Sequence, residues 1–414
     1  MKISVLRSSF QTDEFVWKEY AELLNRLKNE CQAEIAIFGD EEDSIRQWKQ
    51  APTIPDYVMI ATGGVENLFK TLFTEAFQKS SLRKTVKMIA DGRNNSLAAA
   101  LEILTYLEGQ GIKGRILHGS NDEIMKELQG PSLLNGARIG LFGKPSDWLI
   151  ASGVDHDYLM QHFGVETVDI DLQRLIDGIK AVPQTEAVKV AQPLVKKALD
   201  VKEPSCADMV AAAKAYLAIK KICTEEGLDA MTIRCFDIVK TCGTTSCLAL
   251  ALLNNEGIVA GCEGDMQTLM SMLLVKRLCG EEAFMANPSN LTDETTMLAH
   301  CTIPLNLCQE TVLRSHFESG IGVAIQGVLP MTDYTIFKWG GPRLDRYYVA
   351  EAKAIETPYS EHFCRTQITL NVNLKPYLLE HSIGNHHVII KGRHAETIRE
   401  MMEILKIDNL EFRE

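Results

Sequence analysis

Short β-rich runs alternate with amphipathic helical segments through the first 135 residues, and this alternation constrains the fold more than any other feature. Strand-like runs occur at residues 3–6, 33–38, 57–61, 86–90 and 115–118, and most of the gaps between them carry a helical pattern. A helix between consecutive strands is the connection that parallel strands require. We therefore predict a doubly wound α/β domain with a parallel sheet over residues 1–135.

Two further changes in texture follow. A second α/β pattern begins with the strand-like run at residues 137–143, and from about residue 292 the chain becomes β-rich with Gly and Pro turns. The predicted fold class is α/β. Two doubly wound parallel-sheet domains, at 1–135 and 136–291, precede an antiparallel, barrel-like β domain at 292–414.

Composition excludes several classes of function. The chain has 414 residues and a formal net charge of -12, which argues against a nucleic-acid partner. No apolar run approaches the length of about 18 residues that a membrane span needs, and the first residues lack the apolar region of a secretion signal. The GxGxxG match at residues 109–114 follows a helical pattern and precedes a strand, the reverse of the order in a dinucleotide site, and no Walker A sequence is present, so we do not expect a nucleotide cofactor. Eleven cysteines without a CxxC pair suit a reducing compartment. We expect a cytoplasmic protein with a small-molecule ligand and no membrane partner.

An acidic residue stands in a glycine turn near the middle of the chain. Gly261 and Gly264 surround Glu263, and Asp265 precedes the apolar run TLMSMLLVKRL at residues 268–278. Glycine permits a positive φ and a close approach of the backbone to a ligand. Glu263 is therefore a candidate ligand or general base. The alternative is that Glu263 or Asp265 only caps the helix that follows.

Histidines stand out in two places. His300 lies in the apolar run MLAHCTIP, and His386 and His387 form a pair where a glycine turn enters a buried strand. Alternation along a strand directs one member of the pair to each face. A glutamate with two histidines suits Mn, Fe, Co or Zn, although a histidine with apolar neighbours is more often a hydrogen-bonded core residue. Cys301 points to the opposite face from His300, which argues against a cysteine–histidine catalytic pair.

These motifs, taken in order, resemble the L-fucose/L-arabinose isomerase superfamily. The turn GCEGDMQT at 261–268 is followed by FMAN at 284–287, then by His300 in a strand, then by the pair His386 and His387. The resemblance covers roughly residues 231–405. It implies an aldose–ketose isomerase that converts an open-chain sugar through a metal-bound cis-enediol, with manganese as the usual divalent metal. It also implies a homo-oligomer, a trimer or hexamer, with active sites between subunits.

The resemblance also implies roles for individual residues. Glu263 matches the first acidic metal ligand and base, His387 matches the metal-binding histidine, and His300 matches a further catalytic histidine. His386 and Asp265 remain as candidates for substrate binding.

One position departs from the family pattern. Where the family has a second metal-binding carboxylate, this chain has Ala286 and Asn287. Asn287 can supply a neutral oxygen to the metal and leave Glu263 as the only base, or Asp265 or Asp237 can replace the missing acid. The remaining alternative is a non-catalytic or divergent sugar-binding protein on the same scaffold. The leading hypothesis is the isomerase, with a catalytic set of Glu263, Asn287 and His300.

Overall fold

The structure is a computed structural model that describes residues 1–50, 52, 54–79, 86–112, 114–129, 133–405 and 407–410. The chain forms two compact units, Met1–Ser132 and Leu133–Glu414. No helix within the described segments is both long enough and apolar enough to cross a membrane.

The first unit is a five-stranded parallel sheet with helices around it. Its strand order is β2-β1-β3-β4-β5, and every neighbouring pair is parallel. Residues of β1 alternate between two apolar clusters, with Ile3 and Val5 in one and Leu6 in the other, so both faces of the sheet are covered. The strands are β1 Lys2–Leu6, β2 Glu34–Phe38, β3 Tyr57–Ile60, β4 Val86–Ile89 and β5 Gly114–Leu117. The helices are α1 Asp13–Glu19, α2 Ala21–Glu30, α3 Glu42–Gln50, α4 Glu66–Lys79, α5 Ser96–Gly109 and α6 Asn121–Gln129.

The second unit begins with a four-stranded parallel sheet. Its strand order is β10-β9-β6-β7, and the strands are β6 Arg138–Phe142, β7 Glu166–Ile170, β9 Ala230–Ile233 and β10 Val259–Cys262. The short strand β8, Asp200–Val201, belongs to a separate sheet. The helices of this part are α7 His156–Phe163, α8 Leu172–Ala181, α9 Gln184–Lys197, α10 Cys206–Glu226, α11 Cys235–Cys242, α12 Cys247–Asn255 and α13 Met266–Cys279.

A closed barrel of six antiparallel strands completes the second unit. The barrel strands follow one another in the order β15-β18-β11-β12-β17-β16, and pairing of β16 with β15 closes the ring. They are β11 Ala283–Leu291, β12 Thr296–His300, β15 Asp333–Gly340, β16 Arg346–Glu356, β17 Thr366–Asn371 and β18 His387–Lys391. The remaining elements are β13 Glu310–Arg314, β14 Ala324–Val328, α14 Lys375–Glu380, α15 Ala395–Leu405 and β19 Asp408–Asn409.

Strand β11 joins the barrel to the layer of helices and parallel strands. Phe284 and Ala286 lie in the apolar cluster to which all six barrel strands contribute. Met285 points the other way, into the cluster that α13 and the parallel sheet share. Alternation along one strand therefore packs both layers, and the sulfur of Met285 accepts a hydrogen bond from the backbone N–H of Cys262 at 3.4 Å. This contact holds the end of β10 against the barrel.

The predicted fold class is confirmed, including the barrel. Strand β10 lies between the apolar helix α12 and the glycine turn. Ser205 starts α10 with a reciprocal capping box to Asp208. The proposed boundary at residue 292 falls after β11, a strand that already belongs to the barrel. The three-domain division stays a prediction.

Candidate functional site

The glycine turn after β10 puts Glu263 in a backbone conformation that non-glycine residues rarely adopt. Glu263 has φ of 63° and Gly264 has φ of 78°, whereas Gly261 is not among the residues with positive φ. A Cβ on Gly264 would lie 2.6 Å from the Cα of Pro145, so only glycine fits there. A left-handed conformation at a non-glycine residue costs on the order of 1 kcal/mol and is concentrated at functional positions. The positive φ that the glycines led us to expect at this turn is thus also found at Glu263 itself.

Three side chains converge at this turn: Glu263, His300 and His386. Glu263 Oε1 lies 3.8 Å from His300 Nε2 and 3.6 Å from His386 Nε2. One ligand atom from each residue lies within 4.8 Å of the other two. Both histidines are buried, and the carboxylate side chain is 15% exposed. This donor set, one carboxylate oxygen and two imidazole nitrogens, is one that divalent transition metals accept.

The hydrogen bonds of the two imidazoles fit a bound metal. His386 Nδ1 is 2.9 Å from Asp265 Oδ2, and His300 Nδ1 is 3.0 Å from Thr302 Oγ1. Such a partner on the far nitrogen is what orients a metal-binding histidine. His386 Nε2 is buried and has no hydrogen-bond partner. A buried unpaired nitrogen is costly, and a metal ion beside Glu263 would satisfy it.

Asp265 caps α13 and also contacts His386. It is fully buried, caps α13 by accepting from Thr268 N at 2.9 Å, and accepts from the Thr268 hydroxyl at 2.7 Å. The ammonium of Lys338, also fully buried, donates to Thr268 Oγ1 at 2.6 Å and lies 3.7 Å from Asp265 Oδ2. Helix capping and positioning of His386 are therefore functions of the same carboxylate.

The charges of the site influence one another strongly. Burial opposes the charged form of Glu263, but His300 and His386 outweigh it and hold the pKa of this carboxyl well below its usual value. Burial likewise opposes the charge of His386, yet Asp265 and Glu263 raise the pKa of its imidazole. For His300, burial dominates and lowers the pKa. Of the two histidines, His386 is therefore the one whose charged form the neighbouring carboxylates favour.

A loop and an aromatic pair border Glu263. The indole N–H of Trp148 donates to Glu263 Oε2 at 2.7 Å, and the backbone N–H of Ser146 donates to the Glu263 carbonyl at 2.9 Å. Trp148 packs edge-on against Phe236, with ring centroids 5.2 Å apart. Trp148 thus fixes the oxygen that does not face the histidines. No sequence motif marks Trp148, although its loop follows the carboxyl end of a parallel strand, where ligands gather.

Strand β11 carries Ala286 and Asn287 between the two histidine strands. Ala286 pairs with His387 on β18, and Asn287 pairs with Ala299 on β12, next to His300. Ala286 faces the barrel interior, so alternation directs Asn287 to the outer face, the face of Met285. The position that lacks the expected acid therefore lies on the strand between the one that ends at His300 and the one that begins next to His386.

The structure places His386, not His387, beside Glu263. Both ring nitrogens of His387 have other partners, the hydroxyl of Tyr377 at 2.8 Å from Nε2 and the carbonyl of Asn385 at 3.0 Å from Nδ1. Burial lowers the pKa of His387 to about 3, so the ring is neutral. This geometry therefore does not support His387 as the metal-binding histidine. Its side chain points to the other face of the strand, into the barrel.

The acidic residues that could replace the missing ligand already have other partners. Asp265 has no exposed surface and is in contact with His386, and Asp237 pairs with Arg234 at 3.2 Å. A further acid, Glu318, which no sequence motif marks, lies on the exposed loop after His316. Partial burial and the negative charge of Glu263 raise its pKa.

No family model matches the chain. The chain is similar to the sulfoquinovose isomerase of Alkalicoccus urumqiensis, with 25% identity over 304 residues that cover 70% of this chain and 67% of that protein. The sulfoquinovose isomerase of Priestia megaterium is 23% identical over 312 residues, or 72% and 68% of the two chains. That of Clostridium sp. (strain MSTE9) is 22% identical over 265 residues, or 60% and 59%. These relatives support the prediction that the chain is an isomerase.

Proposed function

We propose that the chain is a divalent-metal-dependent aldose–ketose isomerase of an open-chain sugar. The observation that carries the proposal is the convergence of Glu263 Oε1, His300 Nε2 and the otherwise unpartnered His386 Nε2. The order of the motifs supports a place in the L-fucose/L-arabinose isomerase superfamily. The cytoplasmic location and the oligomer with shared active sites stay predictions.

Glu263, His300 and His386 would hold the metal, for which we propose manganese. When bound, a divalent metal polarises a sugar carbonyl and makes a neighbouring hydroxyl more acidic. The protein's part is to move a proton between adjacent carbons. Glu263 is the base, because it is the carboxylate among the three convergent side chains and is ionised at neutral pH. The indole N–H of Trp148 holds Oε2 in place, and so orients the carboxylate toward the bound sugar.

The missing second acid does not remove every group for proton transfer. Partial burial and the negative charge of Glu263 raise the pKa of Glu318, and we propose this carboxyl as a further group for proton transfer. Asn287 shares a face of β11 with Met285, and we propose that it supplies a neutral oxygen. We propose Glu263 as the principal base, with Asn287 beside the bound sugar.

The substrate that we propose to test first is sulfoquinovose, because it is named in the matched relatives. A sulfonated sugar needs a cationic or hydrogen-bonding partner. Arg343 is a candidate, since its side chain is 69% exposed and its contact with Asp155 is long, at 3.9 Å. Unmodified aldoses such as glucose and fucose form the comparison set.

The test combines metal analysis with a turnover assay. The purified full-length chain is loaded with Mn²⁺, and conversion of each sugar in D₂O is followed by proton NMR. We expect conversion of aldose to ketose, deuterium at the carbon that exchanges its proton, and loss of activity with a chelator. Glu263→Gln should reduce turnover by about 10³-fold or more without unfolding the protein. Glu294→Gln, an exposed acid between β11 and β12, is the matched control and should be fully active.

The second candidate function is a sugar-binding protein without catalysis, which the replacement at Ala286 and Asn287 motivates. Calorimetry separates the two. Binding of a sugar without turnover, in the presence of Mn²⁺, would favour this candidate. Full turnover in Glu263→Gln would exclude Glu263 as the base.

A further inference from the structure

His316 lies beside the proposed metal centre and has no role in the scheme above. It is in the loop between β13 and β14 and is 8% exposed. Its ring packs edge-on against Phe236 with centroids 5.5 Å apart, and Phe236 packs in the same way against Trp148. Trp148 donates a hydrogen bond to Glu263, so ring contacts through Phe236 and Trp148 connect His316 to this acid.

The loop fixes the tautomer of this imidazole. The backbone N–H of Ser319 donates to His316 Nδ1 at 3.3 Å, and the Ser319 hydroxyl lies 3.0 Å from the same nitrogen. A backbone N–H can only donate, so Nδ1 is the acceptor and the proton is on Nε2. Backbone hydrogen bonds from His316 N to Ile321 O and from Gly320 N to His316 O hold the loop in shape.

The Nε2–H of His316 is available to a ligand. Among the described residues, none forms a hydrogen bond with this nitrogen, whereas the ring interacts electrostatically with His300 and Glu263. Burial, and then His300, lower the pKa of His316 to about 4. The imidazole is therefore neutral near pH 7 and can donate a hydrogen bond without forming an ion pair with Glu263.

We propose that His316 donates its Nε2–H to an oxygen of the sugar held by Glu263, His300 and His386. The inference rests on the proposed function and adds a substrate-contacting residue to it. As the carbon-bound proton leaves, negative charge grows on the neighbouring sugar oxygen. A fixed neutral donor in a partly dehydrated site stabilises that charge more than it stabilises the bound substrate, so its effect falls on kcat. The rings of Phe236 and Trp148 supply an apolar surface that the C–H groups of a sugar can contact.

The test uses three variants of the full-length, Mn²⁺-loaded protein and the sugar that the wild type converts, beginning with sulfoquinovose. His316→Gln puts an amide N–H near the position of Nε2, whereas the amide of His316→Asn reaches only as far as Nδ1. We expect kcat to fall about 10²-fold in His316→Asn and less than about tenfold in His316→Gln, with KM and bound metal unchanged. Glu294→Gln, the exposed acid between β11 and β12, is the control, and its kcat should stay within about twofold of wild type.

Several results would overturn the assignment. Equal kcat in His316→Asn and wild type, or equal losses in the Asn and Gln variants, would show that the ring is only structural. If the wild type converts no sugar, the proposed function fails, and binding measured by calorimetry then decides about His316. Weaker sugar binding by His316→Asn than by His316→Gln would support the contact, and equal binding, or no binding by any of the proteins, would reject it.

Discussion

Asp265→Asn is the substitution that tests the buried polar network most directly. Asparagine is as good an N-cap as aspartate, so the cap of α13 is retained. What is lost is a negative charge in contact with His386 at 2.9 Å and Lys338 at 3.7 Å, both fully buried. Breaking a buried ionic interaction by removing one partner costs about 3–5 kcal/mol. The pKa of Lys338 is already lowered by burial, so its ammonium can lose a proton and limit the cost. We therefore expect about 3 kcal/mol.

A change of this size is measurable. In a unit of this length, about 3 kcal/mol corresponds to a fall in Tm of roughly 5 °C. Asp171→Asn is the matched control, since Asp171 caps α8 through Gln173 N at 2.9 Å and is exposed. It should cost less than about 0.5 kcal/mol. Thermal unfolding of both variants is followed by circular dichroism at pH 7.

A second substitution isolates the charge. In Asp265→Asn combined with Lys338→Met, no buried ammonium remains, so the double variant should be more stable than the sum of the two single effects predicts. Strict additivity, or a loss in Asp265→Asn no larger than in the control, would refute the account of the network. In the metal-loaded protein, loss of the partner of His386 should also weaken metal binding by about 10–100-fold.

Two further predictions concern the turn and an ion pair. Gly264→Ala should be more destabilising than Gly227→Ala in chemical unfolding, although both glycines have positive φ. A Cβ added at Gly264 would lie 2.6 Å from the backbone of Pro145, whereas nothing lies within 4 Å of one added at Gly227. Equal losses of stability would contradict the close approach at Gly264. Glu203 accepts from Arg314 at 2.6–2.9 Å, and this guanidinium, against some desolvation, lowers the pKa of the carboxyl to about 2. The stabilising effect of this ion pair should be complete above pH 4.5 and lost as the pH falls toward 2. The stability difference between wild type and Glu203→Gln should therefore shrink over that interval, and a constant difference would contradict the role of the ion pair.

The sequence predicted the layered part of the fold because its signal is local. Strands followed by amphipathic helices imply parallel sheets wherever they occur. Closure of the barrel depends instead on pairing between β15 and β16 and on the order of all six strands, which no local pattern encodes. β11 carries Pro288 and a register shift between Pro288 and Asn290, which weakened its strand pattern.

Part of the candidate site could be predicted from the sequence for the same reason. Glu263 and His300 were identified from a glycine turn and an apolar run. The choice between His386 and His387 could not be made by alternation, because β18 is buried on both faces and Val388, Ile389 and Ile390 give no polar side. His316 lies in an irregular loop, and only the folded chain brings it next to Phe236.

The left-handed backbone at Glu263 also bears on the choice between an enzyme and a mere sugar binder. At φ of 63°, glutamate bears a steric cost that glycine would not bear. Strained backbone of this kind is concentrated at functional positions, so the conformation of the turn favours a carboxylate that takes part in the chemistry over one that only lines a binding surface.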